Sequence, residues 1–141
     1  MDNITYECAI CSFKLWLPIK RLKTTTLGLY DDARYPGRCI LVFHEHKEDF
    51  AELDTESAFS FIKDAQEAAI AIKKATTAER INYAILGNAE PHLHMHLIPR
   101  KKKDDPVPNR SPWNHPEPSS KLSFDRRVSI MKSIAYFLTN I

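Results

Sequence analysis

The chain of 141 residues has little glycine, no long apolar run and little net charge. Its three glycines exclude collagen-like and glycine-rich low-complexity proteins, and a hydrophobic fraction of 43% excludes an extensively disordered chain. No apolar run is long enough to cross a bilayer. Twenty basic residues face 18 acidic ones, a net charge of +2, so the balance indicates no nucleic-acid partner. We therefore expect neither a membrane nor a nucleic acid as partner.

Cysteine is scarce, and its number is odd. The three cysteines come without a basic segment and an uninterrupted apolar stretch at the start of the chain, so no export signal is indicated. We expect a cytoplasmic protein without a disulfide framework. The pair Cys8 and Cys11 is then open to a metal-binding, a redox or a neutral interpretation. Histidine, by contrast, occurs six times, and it is the residue type in which we look for chemistry.

The length predicts a single domain over residues 1–141. Residues 8–100 form its expected core. Five of the nine prolines lie between residues 101 and 120, which predicts an extended segment with neither helix nor inner strand. Helical spacing of apolar residues predicts a last helix over residues 121–141, with Ser123 as its cap.

Short apolar runs alternate with helical periodicity along the core. The segment from Leu15 to Leu29 predicts two short strands, and helical spacing predicts a helix from about Leu53 to about Ala75. Asp54 or Thr55 would cap this helix. Its predicted inward stripe is Phe59, Ile62, Ala65, Ala69 and Ile72, and further strands are predicted at Cys39–Phe43, Ile81–Leu86 and His92–Ile98. The connection from Gly87 to His92 is too short for a parallel crossover, which indicates an α+β fold with an antiparallel sheet.

Three histidines alternate with apolar residues in the last of these strands. On a strand, alternate residues share one face, so the rings of His92, His94 and His96 would lie about 6.5 to 7 Å apart. One histidine on a strand is usually structural. Three in strict alternation indicate a chemical face, and metal ligation by histidines spaced by one residue is one chemical interpretation of it.

The sequence from His92 to Ile98 resembles the signature of the histidine triad family at every position. The resemblance extends over most of residues 8–115. Tyr83 through Arg100 is similar to a bacterial branch with a shortened Gly-Asn-x-x-Pro approach to the triad. The other matching positions are Gly37–Phe43, His46, Glu48, Phe50, Asp105, Pro112 and Trp113.

The resemblance implies a HIT-like fold with a long central helix, and a hydrolase or transferase acting on nucleotides. The substrate class would be nucleoside phosphoramidates or dinucleoside polyphosphates, cleaved at the α-phosphate through a covalent nucleotidyl-histidine. Transferred residue by residue, His94 is the nucleophile. His96 donates to a phosphate oxygen, and His92 orients the ring of His94.

The same resemblance assigns residues that bind the nucleotide. Asn88 corresponds to an asparagine that helps to hold phosphate, and Asp31 or Asp32 would bind the ribose. Trp113 would either pack over the nucleotide or cover sheet or dimer surface. Many members carry a histidine where this chain has Arg38, which would contact phosphate as a permanent cation.

One departure keeps a second function open. Many members have a Gly-rich loop with Gln or Ser before the triad, and residues 89–91 (Ala-Glu-Pro) replace it here. Assistance to the leaving group is therefore unassigned. The alternative is a catalytically weak nucleotide- or partner-binding protein of the same fold, and a third hypothesis is a metal-centred enzyme that uses all three histidines.

The resemblance also proposes a metal site and an oligomer. In some triad proteins a similar pair of cysteines binds zinc together with two histidines, which here would be His46 and His92 beside Cys8 and Cys11. Such a zinc ion would be structural, and the chemistry would require no cofactor. Triad proteins are typically homodimers, so a homodimer is the expected state.

Overall fold

The computed structural model describes residues 4–139. Within them the chain forms seven strands and two α-helices. The strands are β1 (Tyr6–Glu7), β2 (Lys14–Leu15), β3 (Pro18–Arg21), β4 (Thr25–Leu29), β5 (Cys39–Phe43), β6 (Arg80–Ala84) and β7 (His94–Arg100), and the helices are α1 (Thr55–Thr76) and α2 (Phe124–Thr139). Short 3₁₀ helices lie at Phe50–Glu52 and Pro112–Asn114.

Five strands form one sheet in the order β3-β4-β5-β7-β6, and every neighbouring pair is antiparallel. The pairing of β5 with β7 places His96 opposite Ile40 and His94 opposite Val42. Strands β1 and β2 form a separate hairpin. The α+β class with an antiparallel sheet is thus confirmed, and the histidines lie on an inner strand whose backbone is fixed from both sides.

The larger core lies between one face of the sheet and the two helices. Helix α2 packs beside α1 and reaches β3, while α1 also contacts β7. Side chains of the three middle strands and of both helices meet there without contact to water. The sheet contributes Leu27, Leu29, Leu41, Phe43, Met95 and Leu97, and the helices contribute Phe61, Ala65, Ala69, Ile72, Ile134 and Leu138.

Helix α1 begins at the predicted cap and ends close to the predicted residue. The carboxylate of Asp54 accepts a hydrogen bond from the Ser57 N–H at 2.7 Å, and Thr77 follows the helix in the left-handed region with φ of 60°. The predicted inward stripe is wrong at two positions. Phe59 is 72% exposed and Ile62 is 48% exposed.

The buried face of α1 is instead centred on small side chains. Ala65, Ala68, Ala69 and Ala71 are buried beside Phe61. Alanine contributes little to a hydrophobic pattern, so the large residues Phe59 and Ile62 dominated the expectation. Close approach of the helix to the sheet favours the alanine-rich face, because small residues let the two backbones come near each other.

The opposite face of the sheet is covered by the β1–β2 hairpin. A second apolar cluster forms there from Tyr6, Cys8, Leu15, Ile40 and Val42. Gly28 allows the hairpin to come this close, because a Cβ at that position would lie 2.6 Å from Leu15 Cδ1. The hairpin thereby holds the two cysteines over the sheet face that carries the histidines.

Several strand boundaries differ from the predicted ones. The segment around Leu15 to Leu29 contains three strands and not the two predicted. The additional strand is β2, which pairs with β1 and not with β3. Strand β6 ends at Ala84, and β7 begins at His94, two residues later than predicted. His92 therefore precedes the strand, and its ring is positioned by the Phe43 carbonyl and the Tyr6 hydroxyl.

The proline-rich segment and the last helix follow the core. Apart from the 3₁₀ helix at Pro112–Asn114, residues 101–120 contain neither helix nor strand. Helix α2 starts at Phe124, where Ser123 Oγ accepts from the Arg126 N–H at 3.3 Å. Within residues 4–139, no helix combines the length and the apolar character that crossing a bilayer needs.

The core position of Phe61 gives a stability prediction. Its ring is fully buried and lies 5.8 Å from the ring of Phe43 and 6.0 Å from that of Phe50. Phe61→Ala leaves a cavity and should lower the free energy of unfolding by about 3–5 kcal/mol in urea titrations. Phe124→Ala, which removes a ring that is 68% exposed, should cost less than about 1 kcal/mol. Equal losses in the two variants would contradict this packing.

Candidate functional site

The ring of His94 is held by a hydrogen bond from its Nδ1 to the backbone. Its Nδ1 lies 2.5 Å from the carbonyl oxygen of His92. A carbonyl only accepts hydrogen bonds, so Nδ1 carries the proton and donates it. In the neutral ring Nε2 then holds a free electron pair. The imidazole is 6% exposed and lines a cleft, so a bound molecule can reach it.

His96 lies next to His94, with 5.3 Å between the ring centroids. Its Nδ1 is 3.1 Å from Nη2 of Arg38. Burial, with further contributions from the charges of Arg38 and His94, lowers the pKa of His96 to about 4. The ring is therefore neutral throughout the physiological pH range, and it lines the same cleft.

His92 is fully buried and lies beneath the hairpin, outside the cleft. Its Nε2 is 2.8 Å from the carbonyl oxygen of Phe43 and 2.9 Å from the Tyr6 hydroxyl. With the proton on Nε2 donated to Phe43, Nδ1 has an electron pair that faces Cys11 Sγ at 3.3 Å. Burial lowers the pKa of His92 as well.

Four potential metal ligands meet at this end of the sheet. One ligand atom each from Cys8, Cys11, His46 and His92 lies within 4.8 Å of all the others. Cys8 Sγ is 3.7 Å from His46 Nδ1. Usual zinc bond lengths separate the ligand atoms of a tetrahedral site by about 3.3 to 3.8 Å. The set therefore fits zinc in both its chemistry and its spacing.

The surroundings of the Cys8 thiol favour its thiolate form. Burial favours its neutral form, but hydrogen bonds from the backbone of Cys11 and Ile10 outweigh burial and lower the pKa of Cys8 to about 7. Thiolate is the form that binds zinc. Within residues 4–139 this cluster contains His92 but neither His94 nor His96, so those two rings stay available to a ligand in the cleft.

The cleft beside His94 and His96 has a volume of about 930 Å³, within the range of small-molecule sites. Apolar side chains line one part of it, namely Phe13, Leu15, Leu17, Leu29 and Ile40. Basic side chains line another part, namely Lys14, Lys121 and Arg127. This combination suits a ligand with an apolar ring system and an anionic group.

Comparison with known proteins identifies the family of the chain. The family model of the HIT domain matches residues 19–103. The chain belongs to the HIT family. Among curated protein sequences no significant match is found.

Solved structures of HIT proteins share the fold of this chain. A histidine triad protein from Sinorhizobium meliloti is 28% identical, with a TM-score of 0.75 and coverage of 84% of this chain and 86% of that one. A zinc-bound histidine triad family protein from Mycobacterium smegmatis is 19% identical, with a TM-score of 0.62 over 87% and 84% of the two chains. Plasmodium falciparum diadenosine triphosphate hydrolase is 16% identical, with a TM-score of 0.65 over 100% and 86%.

The HIT fold brings some of the predicted nucleotide-binding residues to the cleft and leaves others outside it. Asn88 and Asp31 line the cleft. The Asp31 carboxylate accepts from Arg127 Nη1 at 3.1 Å and from the Leu122 N–H at 2.8 Å. These bonds fasten the start of α2 to the cleft wall.

Asp32 and Trp113 lie elsewhere. The Asp32 carboxylate is fully buried and binds Arg34 and Arg38, each at 2.9 Å. Burial favours its neutral form, but the hydrogen bonds and charges of these arginines hold the pKa of Asp32 below its usual range. Trp113 is 52% exposed and lines a separate cleft along β6, and its ring centroid is 6.4 Å from that of His96.

Three aromatic residues that contact the histidines were missed in the sequence. The ring of Phe13 stacks on His92, with 5.4 Å between the ring centroids, and lies tilted to His94 at 5.3 Å. The Tyr6 hydroxyl bonds to His92, and the ring of Tyr30 lies 5.4 Å from His96. The one available signal was that Tyr6 and Phe13 closely flank the C-x-x-C pair. Once the cysteines are held near the triad, these neighbours must follow.

Proposed function

We propose that this HIT protein is a nucleotidyl hydrolase that cleaves nucleoside phosphoramidates or dinucleoside polyphosphates at the α-phosphate. The observation that carries the proposal is the bond from His94 Nδ1 to the His92 carbonyl, which makes Nε2 the nitrogen that holds the electron pair in the neutral ring. A nitrogen with a free electron pair in a cleft of nucleotide size is a suitable nucleophile. The fold shared with a diadenosine triphosphate hydrolase supports the substrate class.

The reaction would proceed in two displacements at phosphorus. Nε2 of His94 forms a bond to the α-phosphorus, and the bond to the leaving oxygen or nitrogen breaks, with a proton taken up from solvent. Water then breaks the P–N bond, so the nucleotide gains its hydroxyl and His94 regains its electron pair. His96 donates to a phosphate oxygen as negative charge develops. His92 orients His94 through its carbonyl.

Nucleotide binding would use both parts of the cleft. The apolar wall, including Leu17 and Ile40, suits the base, and Asn88 suits the phosphate. Asp31 would accept from a ribose hydroxyl in addition to its bonds with α2. Three of the predicted nucleotide-binding residues do not line the cleft and would instead position the residues that touch the nucleotide. They are Arg38, Asp32 and Trp113.

The nucleophile assignment is tested by His94→Ala. With a fluorogenic adenosine phosphoramidate or diadenosine triphosphate as substrate, this variant should lose at least about 10³-fold in kcat, because no other described side chain replaces the attacking nitrogen. Intact-mass measurement of quenched wild-type reactions should show a nucleotidyl adduct that His94→Ala lacks. His115→Ala, which changes a histidine outside the cleft, should keep full activity. Retained turnover in His94→Ala would refute the assignment.

The second candidate is a nucleotide-binding protein with little catalysis. It is favoured by residues 89–91, since Glu90 lines the cleft where the family loop assists the leaving group. Calorimetric binding of adenosine monophosphate by a wild-type protein that gives neither adduct nor turnover would select this alternative. The cytoplasmic location of this protein stays a prediction of the sequence.

A structural zinc ion would be held by Cys8, Cys11, His46 and His92. The convergence of their ligand atoms within 4.8 Å supports the proposal, as does the zinc-bound relative of the same fold. When bound, zinc would cross-link the hairpin to the start of β7. His94 and His96 need no metal for the proposed chemistry.

The zinc proposal predicts about one equivalent of zinc per chain by elemental analysis. Cys11→Ser should lose the metal and lower the melting temperature, because zinc stabilises only the folded chain. Cys39→Ala is the matched control: this cysteine is buried in the main core, and its loss should leave the zinc content unchanged. Metal-free wild-type protein would dismiss the site.

A homodimer is supported by an exposed apolar surface beside an open sheet edge. In the described part of the chain, strand β6 pairs only with β7. Tyr83 of β6 is 55% exposed and pairs with Leu97, whose side chain belongs to the core under α1. On α1, Phe59, Ile62 and Ile70 are exposed. A second copy placed along β6 and α1 would cover both and extend the sheet.

Sedimentation velocity tests the dimer. The wild-type chain should sediment as a dimer, and Phe59→Glu should weaken association roughly tenfold or more, because it buries a charge in the proposed interface. Lys132→Glu changes an exposed residue of α2, outside that surface, and should leave association unchanged. A monomeric wild type, or equal effects of both variants, would exclude this interface.

A further inference from the structure

Arg38 is a buried cation that lies directly before β5. It is 4% exposed and does not line the cleft of His94 and His96. Its guanidinium lies 3.9 Å from the ring centroid of Tyr30 and 5.4 Å from that of Trp113. These rings cover the cation. Arg38 is therefore not placed to contact a phosphate group in the cleft.

The guanidinium is bonded on two sides. Nη1 donates to Asp32 Oδ2 at 2.9 Å, and Nη2 lies 3.1 Å from His96 Nδ1. Its Nε is buried without a hydrogen-bond partner in the described part of the chain. Asp32 is anchored in turn by Arg34. The direction of Nη2 is thus set by a fully buried carboxylate on the other side of the cation.

The contact with His96 has only one chemically consistent form. A guanidinium has five N–H donors, no acceptor, and keeps its proton in proteins. His96 Nδ1 must therefore accept, which requires an electron pair on Nδ1. The single proton of the neutral ring then lies on Nε2. A ring with the proton on Nδ1 would place that N–H directly against an N–H of Arg38 inside the protein.

The geometry points to Arg38 as a positioning residue that fixes His96 in the Nε2–H form, so that its donor faces the cleft. This inference rests on the proposed function for the use of that donor. His94 has the opposite form, with its proton on Nδ1. Two adjacent imidazoles thereby offer one electron pair and one N–H, the two groups that attack on phosphorus requires.

Among residues 4–139, no other group around His96 would set the position of its proton. The charged and titratable groups that contact the ring are Arg38 from the segment before β5, His94 from β7 and Tyr30 next to β4; Trp113 adds an uncharged ring. The carboxylate of Asp32 is bonded to Arg38. A histidine at position 38, as in similar proteins, titrates and has two forms, so it would not impose one proton position.

The test reads the proton position of His96 directly. In protein with ¹⁵N-labelled histidine, long-range ¹H–¹⁵N spectra distinguish a protonated from an unprotonated ring nitrogen, and His96→Asn assigns the signals. The wild type at pH 7 should show His96 with Nε2 protonated and Nδ1 bare. A wild-type ring with the proton on Nδ1 would overturn the inference without need of any variant.

Arg38→Met removes the donor and should give a mixture of both ring forms. With a fluorogenic adenosine phosphoramidate, kcat should fall roughly tenfold to a hundredfold while KM changes little, because part of the population lacks the donor at the phosphate. Arg38→Lys keeps a permanent donor and should restore the Nε2–H signal. An unchanged ring form in Arg38→Met, or a raised KM at constant kcat, would show that Arg38 does not act through His96.

The failure of this inference is separable from the failure of the proposed function. The ring form is measured in the free protein and requires no turnover. If the wild type shows the Nε2–H form and Arg38→Met loses it, the positioning role stands even where no nucleotide is hydrolysed. If turnover depends on His94 but the ring form does not depend on Arg38, the function stands and the positioning role falls.

Discussion

The carbonyl oxygen of His92 is the group on which the site depends. It accepts the Nδ1 proton of His94, and that one bond fixes both the ring orientation and the nitrogen that keeps an electron pair. The carbonyl is itself held in place because the side chain of His92 is fully buried and bonded to Phe43 and Tyr6. The side chain of His92 lies outside the cleft, yet by holding this carbonyl in place it fixes the ring form of His94 inside the cleft.

The two faces of the sheet carry different sets of residues, which separates the main core from the site. One face packs on α1 and α2 and supplies most of the buried apolar area. The other carries the hairpin, the cysteines and the histidines. Because β7 pairs with β5 and β6 on both sides, His94 and His96 are attached to a backbone that the main core immobilises. Rigid placement of this kind suits groups that must meet a reacting atom.

The sequence alone predicted much of this, and the failures have physical causes. Alternation of histidine with apolar residues predicts a strand with one chemical face, and β7 with His94 and His96 confirms the strand. The stripe of α1 was wrong at Phe59 and Ile62, since a pattern weighted by residue size overlooks a buried face made of alanine. Tyr30 contacts His96, which is distant in the sequence, and no local pattern encodes such a contact.

Arg38 shows how a departure from a family pattern can carry information. A cation beside a histidine would ordinarily be expected to repel its protonated form and nothing more. Here the cation is held by Asp32 on one side and covered by Tyr30 on another, so its remaining donor has one direction. Burial, with a further contribution from the charge of Arg38, lowers the pKa of His96 and keeps the ring neutral. The direction of the Arg38 N–H decides where the ring keeps its proton. The two effects require the same buried placement, which explains why an arginine in this position is enclosed and not left at the surface of the cleft.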